Sequence, residues 1–110
     1  MYNDDLVTAL KKLGFNVREK KNVTWGQLSK ANVKKNVIVV SWMLRGYIGH
    51  FSVVDHVTKN SIYLADPESG ETIKLQRLVF MRLWFDYEDV WYPIRNSDIQ
   101  LRWMAVVSNQ

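Results

Sequence analysis

The chain has 110 residues, of which 47% are hydrophobic and 13% aromatic, with a formal net charge of +4 and no cysteine. That length and apolar content suit one folded domain over residues 1–110 and exclude a disordered chain. The lack of cysteine excludes disulfides, thiolate metal sites and a cysteine nucleophile within these residues. No apolar run approaches the roughly 18 residues of a spanning helix, and the start is no signal peptide, so the cytoplasm is the favoured compartment.

The charge is unevenly placed. Between Lys11 and Lys35 there are eight Lys or Arg and one acid, Glu19. Such a stretch favours anionic partners, although a solvated lysine-rich face is the simpler reading.

In chain order, Asp4 or Asp5 caps a first helix with Leu6, Leu10 and Leu13 on one side and Gly14 as its stop. Phe15 and Val17 follow as a short edge strand kept soluble by Arg18, Lys20 and Lys21. Thr24-Trp25-Gly26-Gln27 fits a capping box, opening a short helix to about Asn32 with Leu28 and Ala31 inward. Val37 to Trp42 is a continuous apolar run, as expected of a strand buried on both faces at the centre of a sheet. Met43 to Gly49, with two glycines around Tyr47, reads as a loop leading into His50.

Two strands and a hairpin come next. Side chains alternate along a strand, which predicts His50, Ser52, Val54 and His56 on one face. A three-residue loop of Thr58, Lys59 and Asn60 pairs Val57 with Ser61 and sets Ser52 opposite Asp66. Asp66 is then a diagonal neighbour of His50, about 7–8 Å between backbones, a gap two side chains can bridge. A two-residue loop turns the carboxylate to the other face, so the pairing requires the three-residue loop or a bulge. A carboxylate on one imidazole nitrogen fixes the tautomer and leaves the other nitrogen as a base.

Beyond Asp66, a turn over Pro67 to Gly70 leads to a third strand with Thr72, Ile73 and Leu75. Gln76 to Phe85 reads as a helix with Leu78, Met81 and Phe85 inward. Asp86 to Asp98 predicts an ordered loop or a short extra strand, and Ile99 to Val107 one closing strand with Ile99, Leu101 and Trp103 on one face. Trp25, Trp84 and Trp103 fall at core positions. Trp42, Tyr47, Trp91 and Tyr92 lie in or beside expected loops and are candidates to line a peptide groove.

Gly49-His50-Phe51-Ser52-Val53-Val54, followed sixteen positions after the histidine by Asp66-Pro67, resembles the bacteriocin-processing, or double-glycine leader, peptidases of the papain-like cysteine peptidase superfamily. The likeness extends to Leu6–Val17, with its Leu-Gly-Phe turn, to Leu28–Ser41, and to Gly70–Trp84. It implies an α+β fold: an antiparallel papain-like half-barrel sheet of five or six strands with about three helices packed on it. His50 matches the family's catalytic histidine and Asp66 its orienting aspartate. The family's nucleophilic Cys and oxyanion-stabilising Gln precede the first segment matched here, so neither has a counterpart in this chain. The resemblance therefore implies a non-catalytic domain that binds an extended peptide or leader segment beside His50. The alternative is the C-terminal part of an active peptidase whose Cys and Gln come from an upstream segment or a partner chain.

Other chemistries fit the residues less well. Ser52 is about 6.6 Å along the strand from His50, beyond a nucleophile-to-base hydrogen bond, and no Gly-x-Ser-x-Gly elbow occurs. His50 and His56 are about 20 Å apart along an extended strand, too far to share a metal ion, and no cofactor motif is present. A basic nucleic-acid-binding domain is a further alternative, but the basic residues and the unassigned aromatics lie in different parts of the chain.

Overall fold

The computed structural model describes residues 3–44, 48–66, 69–87, 95, 97 and 99–109. Helix α1 covers Asn3–Lys12, with two aspartates in its first turn and two lysines in its last, both favourable to the helix dipole. Gly14, at φ 94°, ends it in the left-handed conformation that glycine adopts without strain. Strand β1 (Asn16–Lys20) leads to α2 (Trp25–Ala31), whose N-terminus carries the complete Thr24–Gln27 capping box. Then come β2 (Val37–Leu44), β3 (Ile48–Val57), β4 (Ser61–Ala65), β5 (Thr72–Gln76), α3 (Arg77–Leu83), β6 (Phe85–Tyr87), β7 (Ile99–Leu101) and β8 (Met104–Ser108).

The architecture is α+β. Six strands form an antiparallel sheet in the order β1-β8-β2-β3-β4-β5, and β6 and β7 make a separate two-stranded ribbon. The apolar run of β2 lies inside the sheet, between β8 and β3, where both faces are covered. One face carries Ile38, Val40, Trp42, Val54, Ile62 and Leu64 against Leu28 of α2 and Phe80 of α3. The other carries Val17, Val39 and Ala105 against Val7 of α1 and Trp103. Among the described residues no helix is long and apolar enough to cross a membrane.

Four local expectations are corrected. Met43 and Leu44 pair with Gly49 and Ile48, so β2 and β3 run further toward each other than a loop over Met43 to Gly49 allows; pairing satisfies backbone groups that a loop leaves to solvent. Helix α3 buries Phe80, and Trp84 follows it inward, while Leu78 is 73% exposed. The short helix starts directly at the end of β5, and this junction rather than the apolar spacing sets its rotation.

The closing segment is two strands. Arg102, at φ 47°, breaks it. Its guanidinium Nε donates to Val23 O and its backbone N–H to Trp84 O, so the break carries its own hydrogen bonds. It moves the chain from the small ribbon to the main sheet, which inverts the expected alternation: Gln100 is buried and Ile99 and Leu101 are exposed.

The fourth correction is the hairpin. Thr58 N–H bonds to Ser61 O around Lys59 and Asn60, and His56 faces Tyr63, which is the register of a two-residue loop. Asn60 is not left-handed. A β-bulge at Asp55 then restores the other register, with Val54 opposite Leu64 and Val53 opposite Ala65.

Candidate functional site

The bulge decides where the two histidines point. Above it, His50, Ser52 and Val54 share the face of β3 that also carries Trp42 of β2 and Leu64 of β4. Continuing that register puts Ser52 opposite Asp66, and the Asp66 carboxylate on the same face. His50 Nε2 lies 3.3 Å from Asp66 Oδ1, with the two side chains only 12% and 14% exposed. The contact is in ion-pair range but off the line of a directed hydrogen bond. Below the bulge His56 is turned to the opposite face, stacked on Tyr63 at 4.0 Å between centroids, so it does not share a face with His50.

The environment of His50 is built by aromatic packing and one buried hydroxyl. Trp42 is its direct cross-strand partner, and the two rings meet edge-on at 6.2 Å and 85°. Trp42 is 2% exposed, and its Nε1–H donates to Ser52 Oγ at 3.0 Å. Its expected place in a peptide groove is thus corrected: Trp42, covered on its face of the sheet by Phe80, has no free surface and instead supports the histidine from within the core. Ser52, 1% exposed and accepting the indole N–H, has no access to solvent as a nucleophile. Tyr47, Trp91 and Tyr92, the other expected groove residues, lie outside the described residues.

Asp66 is positioned by its own backbone. Its N–H donates to Glu71 O and its carbonyl accepts from Gly70 N–H, closing the turn after β4, with Gly70 at φ 73°. An ionised carboxylate only accepts hydrogen bonds, so its position favours the tautomer with the proton on His50 Nε2. Nδ1 is then the nitrogen that keeps the lone pair.

A second carboxylate escaped the sequence reading. Asp86 on β6 accepts from Ser41 Oγ at 2.8 Å and from Tyr87 N–H at 2.8 Å. It sits directly over Gly49: a Cβ added there would lie 2.6 Å from Asp86 Oδ1. The glycine before the histidine is therefore required by close approach, and the ribbon of β6 and β7 is locked to β2 and β3 one residue from His50. The only sequence signal was the glycine itself, whose partner lies 37 positions away. Among the described residues no group of three or more His, Cys, Asp or Glu could hold a metal ion.

His50 on β3 and Asp66 just beyond β4 thus lie within ion-pair range on one face of an antiparallel α+β sheet, in a chain without a thiol. The chain belongs to the Peptidase C39 family, whose family model matches residues 2–88, from the first helix through the histidine, the aspartate and β6. No curated protein matches it in sequence.

Proposed function

We propose that this domain is a non-catalytic member of its family that binds an extended peptide in a cleft beside His50. The observation that carries the reading is the His50–Asp66 contact, kept on a rigid, mostly buried frame in a chain with no cysteine. Without a thiolate no covalent acyl-enzyme can form, so a base positioned by a carboxylate has nothing here to deprotonate. What remains is a polar imidazole presented from one face of the sheet beside the proposed cleft, where an extended peptide could lie. Tyr47, Trp91 and Tyr92 are the aromatic side chains proposed to line the cleft.

The test is a titration of isotopically labelled protein with synthetic extended peptides, with and without a double-glycine segment, followed by amide and imidazole resonances. Binding should shift His50 and its neighbours on β2 and β3 and leave His56 unmoved. If none of these resonances responds at millimolar peptide, the reading fails.

The orientation of His50 favours one second reading: with Nε2 turned to Asp66, Nδ1 is free to serve a thiol supplied by an upstream segment or a partner chain. In that case the chain joined to such a segment should cleave peptides, and His50→Ala should abolish the cleavage.

A further inference from the structure

The basic stretch that composition leaves unassigned is gathered by the fold into one place. Arg18 and Lys20 project from the same face of β1, which is an edge strand of the main sheet. Lys30 on α2 and Lys35 in the segment before β2 approach from the other side, and the four enclose an open pocket of about 370 Å³. Its floor is apolar, formed by Met104 and Val106 of β8, both nearly fully buried. None of the four cations has an ion-pair partner among the described residues.

The one acid of this stretch does not neutralise them. Glu19, between Arg18 and Lys20, falls on the opposite face of β1 by strand alternation, where its Oε1 accepts the Trp103 indole N–H at 3.1 Å. The same alternation that places two cations in the pocket removes the acid from it. The pocket is also separate from the histidine. Met104 of its floor aligns with Val40, and Val40 with Ser52, so two strand spacings, about 10 Å, divide the floor from the row beside His50, and Lys20 lies one strand further away.

We propose that this pocket binds a small ligand carrying two or more phosphate groups. Its volume falls in the range of small-molecule sites, about 300–1,000 Å³. Charge density selects phosphate over carboxylate: a phosphate monoester carries about −1.5 to −2 at neutral pH with three acceptor oxygens, so two such groups on a compact molecule match four cations. A peptide segment of the same volume brings at most one negative charge per side chain. Val33, 44% exposed at the pocket wall, is the apolar surface that takes the carbon skeleton bearing the phosphates. Such groups occur both on soluble metabolites and on lipid headgroups.

The proposal is tested by adding inorganic pyrophosphate to the labelled protein at low salt, and separately vesicles containing bisphosphorylated phosphatidylinositol or phosphatidylserine. Pyrophosphate should shift the amides of Lys20, Lys30 and Met104, with binding that weakens as ionic strength rises. Retention on bisphosphorylated vesicles and not on phosphatidylserine marks the lipid source; response to pyrophosphate without vesicle retention marks a soluble one. Lys20→Glu with Lys30→Glu should weaken binding at least about tenfold. Lys20→Gln with Lys30→Gln should give an intermediate loss at unchanged melting temperature, which separates lost charge from lost fold. No response at these amides, equal binding of tri-glutamate, or undiminished binding by the Glu variant would overturn the site. His50→Ala should bind pyrophosphate as the wild type does, so this site and the peptide cleft can fail independently.

Discussion

At one end of β3, His50 meets Asp66 across the sheet at 3.3 Å; toward the other end, His56 meets its sequence neighbour Asp55 at 2.7 Å. By distance alone the second pair is the better one. Its side chains, however, are 49% and 57% exposed, against 12% and 14% for the first. An exposed pair is screened by water and held by little else, whereas His50 is fixed by Trp42, by the register with β4 and by the turn behind Asp66. Burial and packing, not proximity, set the first pair apart from the second. The bulge at Asp55 is the hinge of the difference, since it sends the two histidines to opposite faces.

The largest effect on this contrast is expected from Trp42→Ala. It removes a fully buried ring packed on both Phe80 and His50, and should cost about 3–5 kcal/mol in a denaturant titration. Asp55→Ala at the other pair, measured the same way, should stay within about 1 kcal/mol. A loss from Trp42→Ala as small as that would show that His50 is not supported by the core.

Gly49→Ala is next. Its methyl group would press on an Asp86 carboxylate already held by Ser41 and Tyr87, for an expected loss of about 1–3 kcal/mol. The double variant Gly49→Ala/Asp86→Ala should lose less than the sum of the singles, because the clash needs both partners. Strict additivity would remove Asp86 from the account of the glycine.

Asp66→Ala should barely change stability but should move His50 from a single tautomer toward the unconstrained mixture, in which the Nε2–H form still predominates, read from the imidazole nitrogen chemical shifts, with His56 unaltered. An unchanged His50 would break the comparison, since the buried pair would then be no more coupled than a surface one. Asp55→Ala is the smallest test: it should change the ring environment of His56 and leave His50 silent.

Much of this was legible in the residues. The capping box at Thr24 predicted α2, the uninterrupted apolar run predicted β2 inside the sheet, and the glycine–histidine and aspartate–proline motifs led to the family. These signals are local, or depend only on alternation along two adjacent strands. The rotation of α3 was not legible, because Leu78 and Phe80 are both apolar and the junction with β5 chooses between them. Nor was the break at Arg102, whose left-handed backbone is stabilised by carbonyls of Val23 and Trp84, remote in sequence.

The sequence by itself determined the α+β class, the residue types of the site and the absence of a thiol, since composition and short-range periodicity carry that information. Only the tertiary structure decided that Trp42 is buried, that His56 faces away, that Asp86 sits on Gly49 and that Glu19 leaves its cationic neighbours unneutralised. Each of these depends on strand register or on a partner far along the chain. One extra residue in a ladder inverts every side chain beyond it, and no local pattern records where that residue falls.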